Sequence, residues 1–491
     1  MNNKFTKFLN NLKSARLIPL TLILITIAIR LPFIFFSPVT YDEISEFQLP
    51  QANLANIITG SIPVHPPLYF LMLHYWMGLA TNIYWARTMS LLFGILTVVV
   101  LWKILRYVIN SGKQVAILAF ILLPAHIYYS TLTRLYSLSI FLGTVLFWLS
   151  IKIHEKNSTG FYLLLILVST LSIYTHYFFL FWLLVLNLIY FFKEKAKDCN
   201  LYLSTVLILI LTLPLFISYL LLEKQNLPLG TFSVTKLITS PFIFTIALDQ
   251  AFLTRLYPFS KYSLSQAHLV ILGLFSLYLA VKGILSKVES KTLLFIKTLA
   301  TATLALPILI ATVVSIAVMP IFSLRAFTIF LASFYILLVI GLSKSSNKIR
   351  YAYVLISGIV LLSIFLSFHS SRSQSELSLT EIKAQTSTIS PFVHTEVTSL
   401  LYLKYFIPEK SHYLIFKTFL SPTTQKAFNL QFISQPDLTR FDKFILIEEE
   451  SFNDKEDHRQ LKSYLNKDFS PATKFKEFSF QITVYNRKNS D

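Results

Sequence analysis

Apolar residues fall along this chain in long blocks, separated by short basic or polar stretches, from residue 17 to about residue 369. A helix needs about 20 apolar residues to cross the roughly 30 Å hydrocarbon core of a bilayer. The pattern predicts eleven crossings, at 17–36, 87–102, 114–131, 135–151, 161–175, 178–192, 201–222, 266–286, 298–319, 326–343 and 351–369. The stretch 161–192 is short for two crossings, since its rise as a single helix is only about 48 Å. Basic clusters at 152–156 and 193–197 nevertheless require an even number of passes between them, which predicts two short helices turning at "YTHYFF". The N-terminal "MNNKFTKFLNNLKSAR" is charged like the start of a signal peptide. The run after it is too long for one and lacks a small-residue cleavage site, which predicts a retained first transmembrane helix.

After residue 369 the pattern changes. "SSRSQSELSLT" reads as a polar linker, and "FDKFILIEEE" and "FSFQITVYN" carry the alternation and β-branched residues of strands. The predicted fold class is therefore an all-α polytopic membrane protein with about eleven transmembrane helices and a small C-terminal α/β domain. A membrane domain spans 1–369, with long outer loops at 37–86 and 223–265, and a soluble extracytoplasmic domain spans 370–491.

Composition agrees: 54% hydrophobic residues, 14% charged and a mean hydropathy of +0.62 exclude a soluble chain of this length. The formal charge of +19 changes the picture only once it is located. Residues 370–491 hold 16 Lys+Arg and 15 Asp+Glu, whereas the remainder holds 27 and 9. The excess thus belongs to the membrane part, where it orients the chain rather than binding nucleic acid, which is not expected as a partner. With the N-terminus in the cytoplasm, nineteen basic residues face inward and seven face outward, excluding the C-terminal domain. This predicts a multi-pass protein of the cell or inner membrane. One cysteine, Cys199, rules out an internal disulfide framework and a cysteine-based zinc site.

Candidate chemistry lies at the outer ends of the helices. Residues 1–41 contain no acid, and then "SPVTYDEISEFQ" (37–48) places Asp42, Glu43 and Glu46 within five positions. On a helix Asp42 and Glu46 share a face. Two readings stand: the loop solvates its charges, or a carboxylate at the membrane rim serves as a general base or cation site. In "SIPVHPPLYFLMLHYW" (61–76), Pro67 suits a first helical turn and His65 sits at the helix entrance. There N–H groups favour a phosphate, the alternative being a plain interface helix. His74 reads as packing. "PAHIYYSTLTRLYSL" (124–138) brings Arg134 and Tyr136 to an outer helix end, and "PIFSLRAFTIF" (320–330) does so for Arg325. These arginines either snorkel to head groups or grip a lipid-linked phosphate with their planar forks. Arg30 lies inside the first helix, where a charge calls for a partner or a phosphate. His176 marks the turn between the short helices and, with Tyr41 and Glu46, is a candidate for the lining of one aqueous cavity. Asp249, in the second long loop, reads as a helix-end solubiliser.

Together these stretches resemble the integral-membrane GT-C glycosyltransferases over about residues 15–345, specifically the protein O-mannosyltransferase and aminoarabinose-transferase group. "YDE" after the first helix, "VHPPLYFLML" in the first outer loop, "RLYSL" at a helix end and "YTHYF" carry the likeness. The resemblance implies a GT-C-like fold and transfer of a single sugar, with inversion, on the outer face of the membrane. The donor would be a polyprenyl-phosphate-linked sugar and the acceptor a lipid, glycan or protein. It further implies Asp42 as catalytic base, Glu43 in acceptor or metal contact, and His65 at the donor-phosphate end. Arg134, Tyr136, Arg325 and Arg30 are added from the residues alone as phosphate and lipid contacts. A divalent metal held through Glu43 or His65 stays open as a cofactor. The tryptophan-tryptophan-aspartate signature of oligosaccharyltransferases is missing, so transfer of a whole glycan to asparagine is not implied. Loop 223–265 is also too short for the lumenal domain of the mannosyltransferases. The competing reading is a polytopic transporter or lipid flippase without transferase activity. It would favour acids at mid-depth and paired broken helices, and no such repeat is visible.

Overall fold

The computed structural model describes residues 17–61, 65–110, 112–192, 198–221, 233–246, 267–318, 321–386, 390–416, 422–449, 456–477 and 480–488. The chain divides into two compact units. A membrane unit draws on Met1–Ser37, Val64–Leu222 and Pro228–Phe368, and a second unit on Pro38–Pro63, Glu223–Leu227 and His369–Asp491.

Among the described residues, eight helices of the chain are long and apolar enough to cross a membrane. They include Pro19–Phe36, Ile83–Val108, Tyr136–Glu155 and Lys291–Ala317, and they make this a multi-pass membrane protein. The two short helices expected in 161–192 are present as Thr159–Ile173 and Phe179–Phe192. The crossing expected at 114–131 is not one helix but two, Lys113–Ile121 and Pro124–Tyr129. Pro124 has no N–H to continue the ladder and pushes Leu123 into an extended conformation (φ −66°, ψ 117°). The expected outer loop 223–265 contains a short apolar helical stretch, Val234–Ile246.

Helix Leu331–Ser343 is apolar all round and buried along almost its whole length, as such a helix must be. Its neighbour Ala267–Leu285 approaches very closely. A Cβ on Gly283 would lie 2.0 Å from Leu337 O, and one on Gly341 would lie 1.9 Å from Leu279 O. Small residues permit this backbone contact in a setting where lipid tails remove the hydrophobic drive for helices to associate.

The second unit is built on a five-stranded sheet of β1 (Phe392–His394), β2 (His412–Leu414), β3 (Lys443–Glu449), β4 (Phe469–Glu477) and β5 (Phe480–Arg487). The strand order is β2-β1-β3-β5-β4, with β1 parallel to β2 and β3, and β5 antiparallel to β3 and β4. Central β3 explains its own sequence. Ile445 and Ile447 pack into one apolar cluster, Phe444 and Leu446 into another, so the run "FILI" is buried on both faces. The small α/β fold and two of its strands are therefore as expected.

Two features of this unit depart from the hydropathy reading. The "SSRSQSELSLT" stretch is no irregular linker, because a single helix runs through Asn347–Gln385. Leu379 and Ile382 bury one side of it in the same cluster as Ile445 and Ile482, and Arg372 pairs with Glu376 at 2.8 Å. Residues 38–63, placed by hydropathy in a loop of the membrane domain, pack with the C-terminal residues instead. Ile44 inserts among Val397, Leu400, Leu401 and Leu414, and the Phe47 and Tyr405 rings meet edge to face at 5.8 Å.

Candidate active site

The acids stand on helix Tyr41–Gln48. Thr40 caps it in an extended conformation, its hydroxyl oxygen accepting from Glu43 N–H at 3.2 Å. Asp42 and Glu43 lie in the first turn, where the helix dipole favours negative charge. The three carboxylates differ in access: Glu43 is 0% and Glu46 5% exposed, whereas Asp42, like Tyr41, is half-buried. Ile44, anchored in its apolar cluster, fixes the rotation of the helix and so decides which acid stays accessible.

In the membrane unit, the sequence-predicted residues form two groups. His65 and His176 come together, their rings 5.7 Å apart and tilted by 42°. The two turns that carry them are joined by Leu68 N–H donating to Tyr174 O at 3.0 Å, and His176 Nδ1 accepts from Phe178 N–H at 3.2 Å. Phe178 in turn packs edge-on against Phe327, 5.6 Å away, in the 3-10 helix Arg325–Phe330. Half-buried Arg325 therefore begins a segment that rests on the histidine turn. That segment also presses on helix Tyr136–Glu155, where a Cβ on Gly143 would lie 2.3 Å from Ile329 O. At the start of the same long helix, Arg134 donates to Tyr136 Oη at 3.3 Å and lies 5.2 Å from the Tyr136 ring centre.

Arg30 stands apart. Fully buried, it donates from Nε to Ser130 Oγ at 2.8 Å, and from its terminal nitrogens to Thr26 O at 3.4 Å, Ile121 O at 3.2 Å and His126 Nδ1 at 2.6 Å. Arginine can only donate, so the His126 proton sits on Nε2. The Ile121 carbonyl sits where Pro124 ends the preceding helix, and a guanidinium meets it there. Of the two partners open for Arg30, the structure supplies protein groups. Arg87, in the first turns of helix Ile83–Val108, is likewise 0% exposed and donates to Ile34 O at 2.6 Å and Ser37 O at 3.1 Å. It thereby caps the end of the first membrane helix. Sequence reading called for a partner or a phosphate at Arg30 but missed which groups hold it, and missed the anchoring role of Arg87, although Pro124 signals a carbonyl in need of a donor.

The acids belong to the second unit, and the histidines and arginines to the membrane unit. No group of three or more His, Cys, Asp or Glu side chains suited to a metal occurs among the described residues, and Glu43 and His65 lie in different units. Asp249 lies outside the described residues.

No protein-family model and no curated protein matches the chain. Among solved structures, apo ArnT from Cupriavidus metallidurans is similar over 95% of this chain and 97% of its own, with a TM-score of 0.52 and 11% identity. The fold is that of ArnT. ArnT is an aminoarabinose transferase of the GT-C class, so the resemblance carried by the short motifs has a counterpart in three dimensions. ArnT from the same organism bound to undecaprenyl phosphate aligns with a TM-score of 0.47 and 11% identity, over 95% of this chain and 96% of its own. At such identity the likeness to ArnT conveys the arrangement of the chain and leaves the chemistry to the residues.

Proposed function

We propose that this protein is a membrane glycosyltransferase that moves one sugar, with inversion, from a polyprenyl-phosphate-linked donor to a lipid, glycan or protein acceptor on the outer face of the membrane. Asp42 takes the proton of the acceptor hydroxyl as the acceptor oxygen bonds to the anomeric carbon. The bond from that carbon to the phosphate oxygen breaks on the opposite face, and the phosphate leaves with the bonding pair. Such a leaving group needs no acid, only a seat for its charge. Arg134, Arg325 and His65 are assigned to that seat, with Tyr136 and His176 positioning them. Glu43, Glu46 and Tyr41 support the base. Arg30 is reassigned to holding the turn that starts at Ser130 and carries Arg134.

One observation carries this reading. In a chain with the fold of ArnT, Asp42 is the carboxylate left accessible in the first turn of a capped helix that directly follows the first membrane helix. The test is transfer from a radiolabelled polyprenyl-phosphate sugar by the purified chain in lipid nanodiscs. Asp42→Asn keeps the shape and removes the base, and is expected to lower turnover by about 100-fold or more. Undiminished turnover in that variant would remove Asp42 from the mechanism.

A further inference from the structure

Within the second unit lies a cleft of about 460 Å³ that the transferase reading does not use. The end of the acidic helix gives it Phe47 and Gln48, helix Val397–Phe406 gives Lys404 and Tyr405, and the following turns give Lys410 and Gln431. No described lining residue is acidic. Three kinds of group meet in it. The half-buried Tyr405 ring offers an aromatic face, braced edge to face at 5.8 Å by the buried Phe47. Glutamine amides both donate and accept, which suits hydroxyls that do the same. Two ammonium groups supply positive charge.

The lysines are set into the wall rather than waving from it. Lys404 Nζ donates to Asn429 O at 3.2 Å, and Lys410 Nζ to Thr386 O at 2.6 Å with the Phe392 ring 5.9 Å away. Asn429 itself turns through a left-handed conformation (φ 49°), which asparagine tolerates better than most residues, and so aims its carbonyl at Lys404. Burial lowers the pKa of both lysines from the ordinary value. Lys443 adds to this at Lys410, and Glu409, which pairs with Lys383 at 3.9 Å, opposes it. A partly desolvated cation is stabilised by an anion brought to it.

We propose that this cleft binds an anionic saccharide: a pyranose whose face rests on Tyr405, whose hydroxyls meet Gln48 and Gln431, and whose phosphate or carboxylate meets Lys404 and Lys410. The site is a recognition site of the second unit. Its occupancy does not depend on sugar transfer, so its failure would leave the transferase reading intact, and the converse holds.

The full chain in nanodiscs is titrated with glucose 1-phosphate, glucuronate, methyl glucoside and inorganic phosphate, with saturation-transfer NMR as the readout. Glucose 1-phosphate and glucuronate are expected to bind at about 1 mM or tighter. Methyl glucoside and inorganic phosphate, each having half of the recognised chemistry, are expected to bind about tenfold more weakly. Lys404→Met and Lys410→Met keep the side-chain stem, and each is expected to weaken glucose 1-phosphate about fivefold. The exposed Gln431→Ala is expected to cost about twofold. Variants are compared only where their melting matches that of the parent. Inorganic phosphate binding as tightly as glucose 1-phosphate would reduce the cleft to a simple anion site and overturn the proposal. So would no saturation transfer at about 10 mM ligand, or lysine variants that bind like the parent.

Discussion

Each unit contains a pair of histidines brought together from distant parts of the chain, and the two pairs are built differently. In the second unit, His394 Nε2 and His412 Nδ1 are 2.9 Å apart, His412 Nε2 meets Ile407 O at 3.0 Å, and His394 Nδ1 meets Ser399 Oγ at 3.1 Å. A carbonyl only accepts, so His412 carries its proton on Nε2. Its Nδ1 then accepts from His394 Nε2–H, and His394 Nδ1 faces the Ser399 hydroxyl, which Glu396 O also contacts at 2.9 Å. A further proton on His412 Nδ1 would set it against the His394 Nε2–H. Burial pushes His394 well below the ordinary histidine value, with His412 adding to it, and lowers His412 to about 4. In the membrane unit, His65 and His176 meet instead as tilted rings at 5.7 Å, next to the segment that begins with Arg325. The first pair is a chain of neutral hydrogen bonds and reads as architecture, whereas the proposed function assigns the second pair to the donor phosphate.

The sharpest way to break this comparison is to open the closed chain. His412→Ala leaves the His394 Nε2–H and the Ile407 carbonyl without their partner and creates a cavity. It should destabilise the second unit by roughly 3–5 kcal/mol, read as lost hydrogen-exchange protection in β1 and β2. Acid should act on the same pair. Because the folded-state pKa values are depressed, the unfolded chain binds more protons between about pH 4 and 6.5. Stability is therefore complete above about pH 6.5 and is lost as pH falls toward 4, on the order of 3 kcal/mol for His412. A second unit whose exchange protection is flat across that window would show that the pair does not stay neutral. In the membrane unit the expected effect moves from stability to turnover. His65→Ala and His176→Ala should each lower sugar transfer by about 10- to 100-fold while shifting Tm by no more than about 2 °C. Variants that melt early at unchanged specific activity would make this pair architecture as well. Smallest of all, Ser399→Ala removes one neutral hydrogen bond from the closed chain and should cost about 1 kcal/mol, with transfer unaffected.

The crossings could be read from the chain because each apolar run is a local and redundant signal, and the two short helices on either side of "YTHYFF" followed from charge and length alone. The break at Pro124 was equally local, but hydropathy averages across a single proline. The helix through "SSRSQSELSLT" was masked by serine, a middling helix former, although Leu379 and Ile382 already stood three apart on one face. At the candidate site, the residue types were legible and their environments were not. Nothing near Arg30 announces Ser130, His126 and Ile121, and nothing in "YDEISEF" says that Glu43 is buried while Asp42 stays accessible.

By itself, then, the sequence determined that this chain is a multi-pass membrane protein with a small α/β addition, and which few polar residues stand at the helix ends. Hydrophobicity and backbone propensity act over a turn or two, and that range suffices for such features. Tertiary structure alone decided that residues 38–63 fold with the C-terminal unit, that His65 meets His176, and that Arg30 is held by protein groups. Those outcomes depend on contacts between segments far apart in the chain, where burial and hydrogen-bond complementarity select one pairing among many.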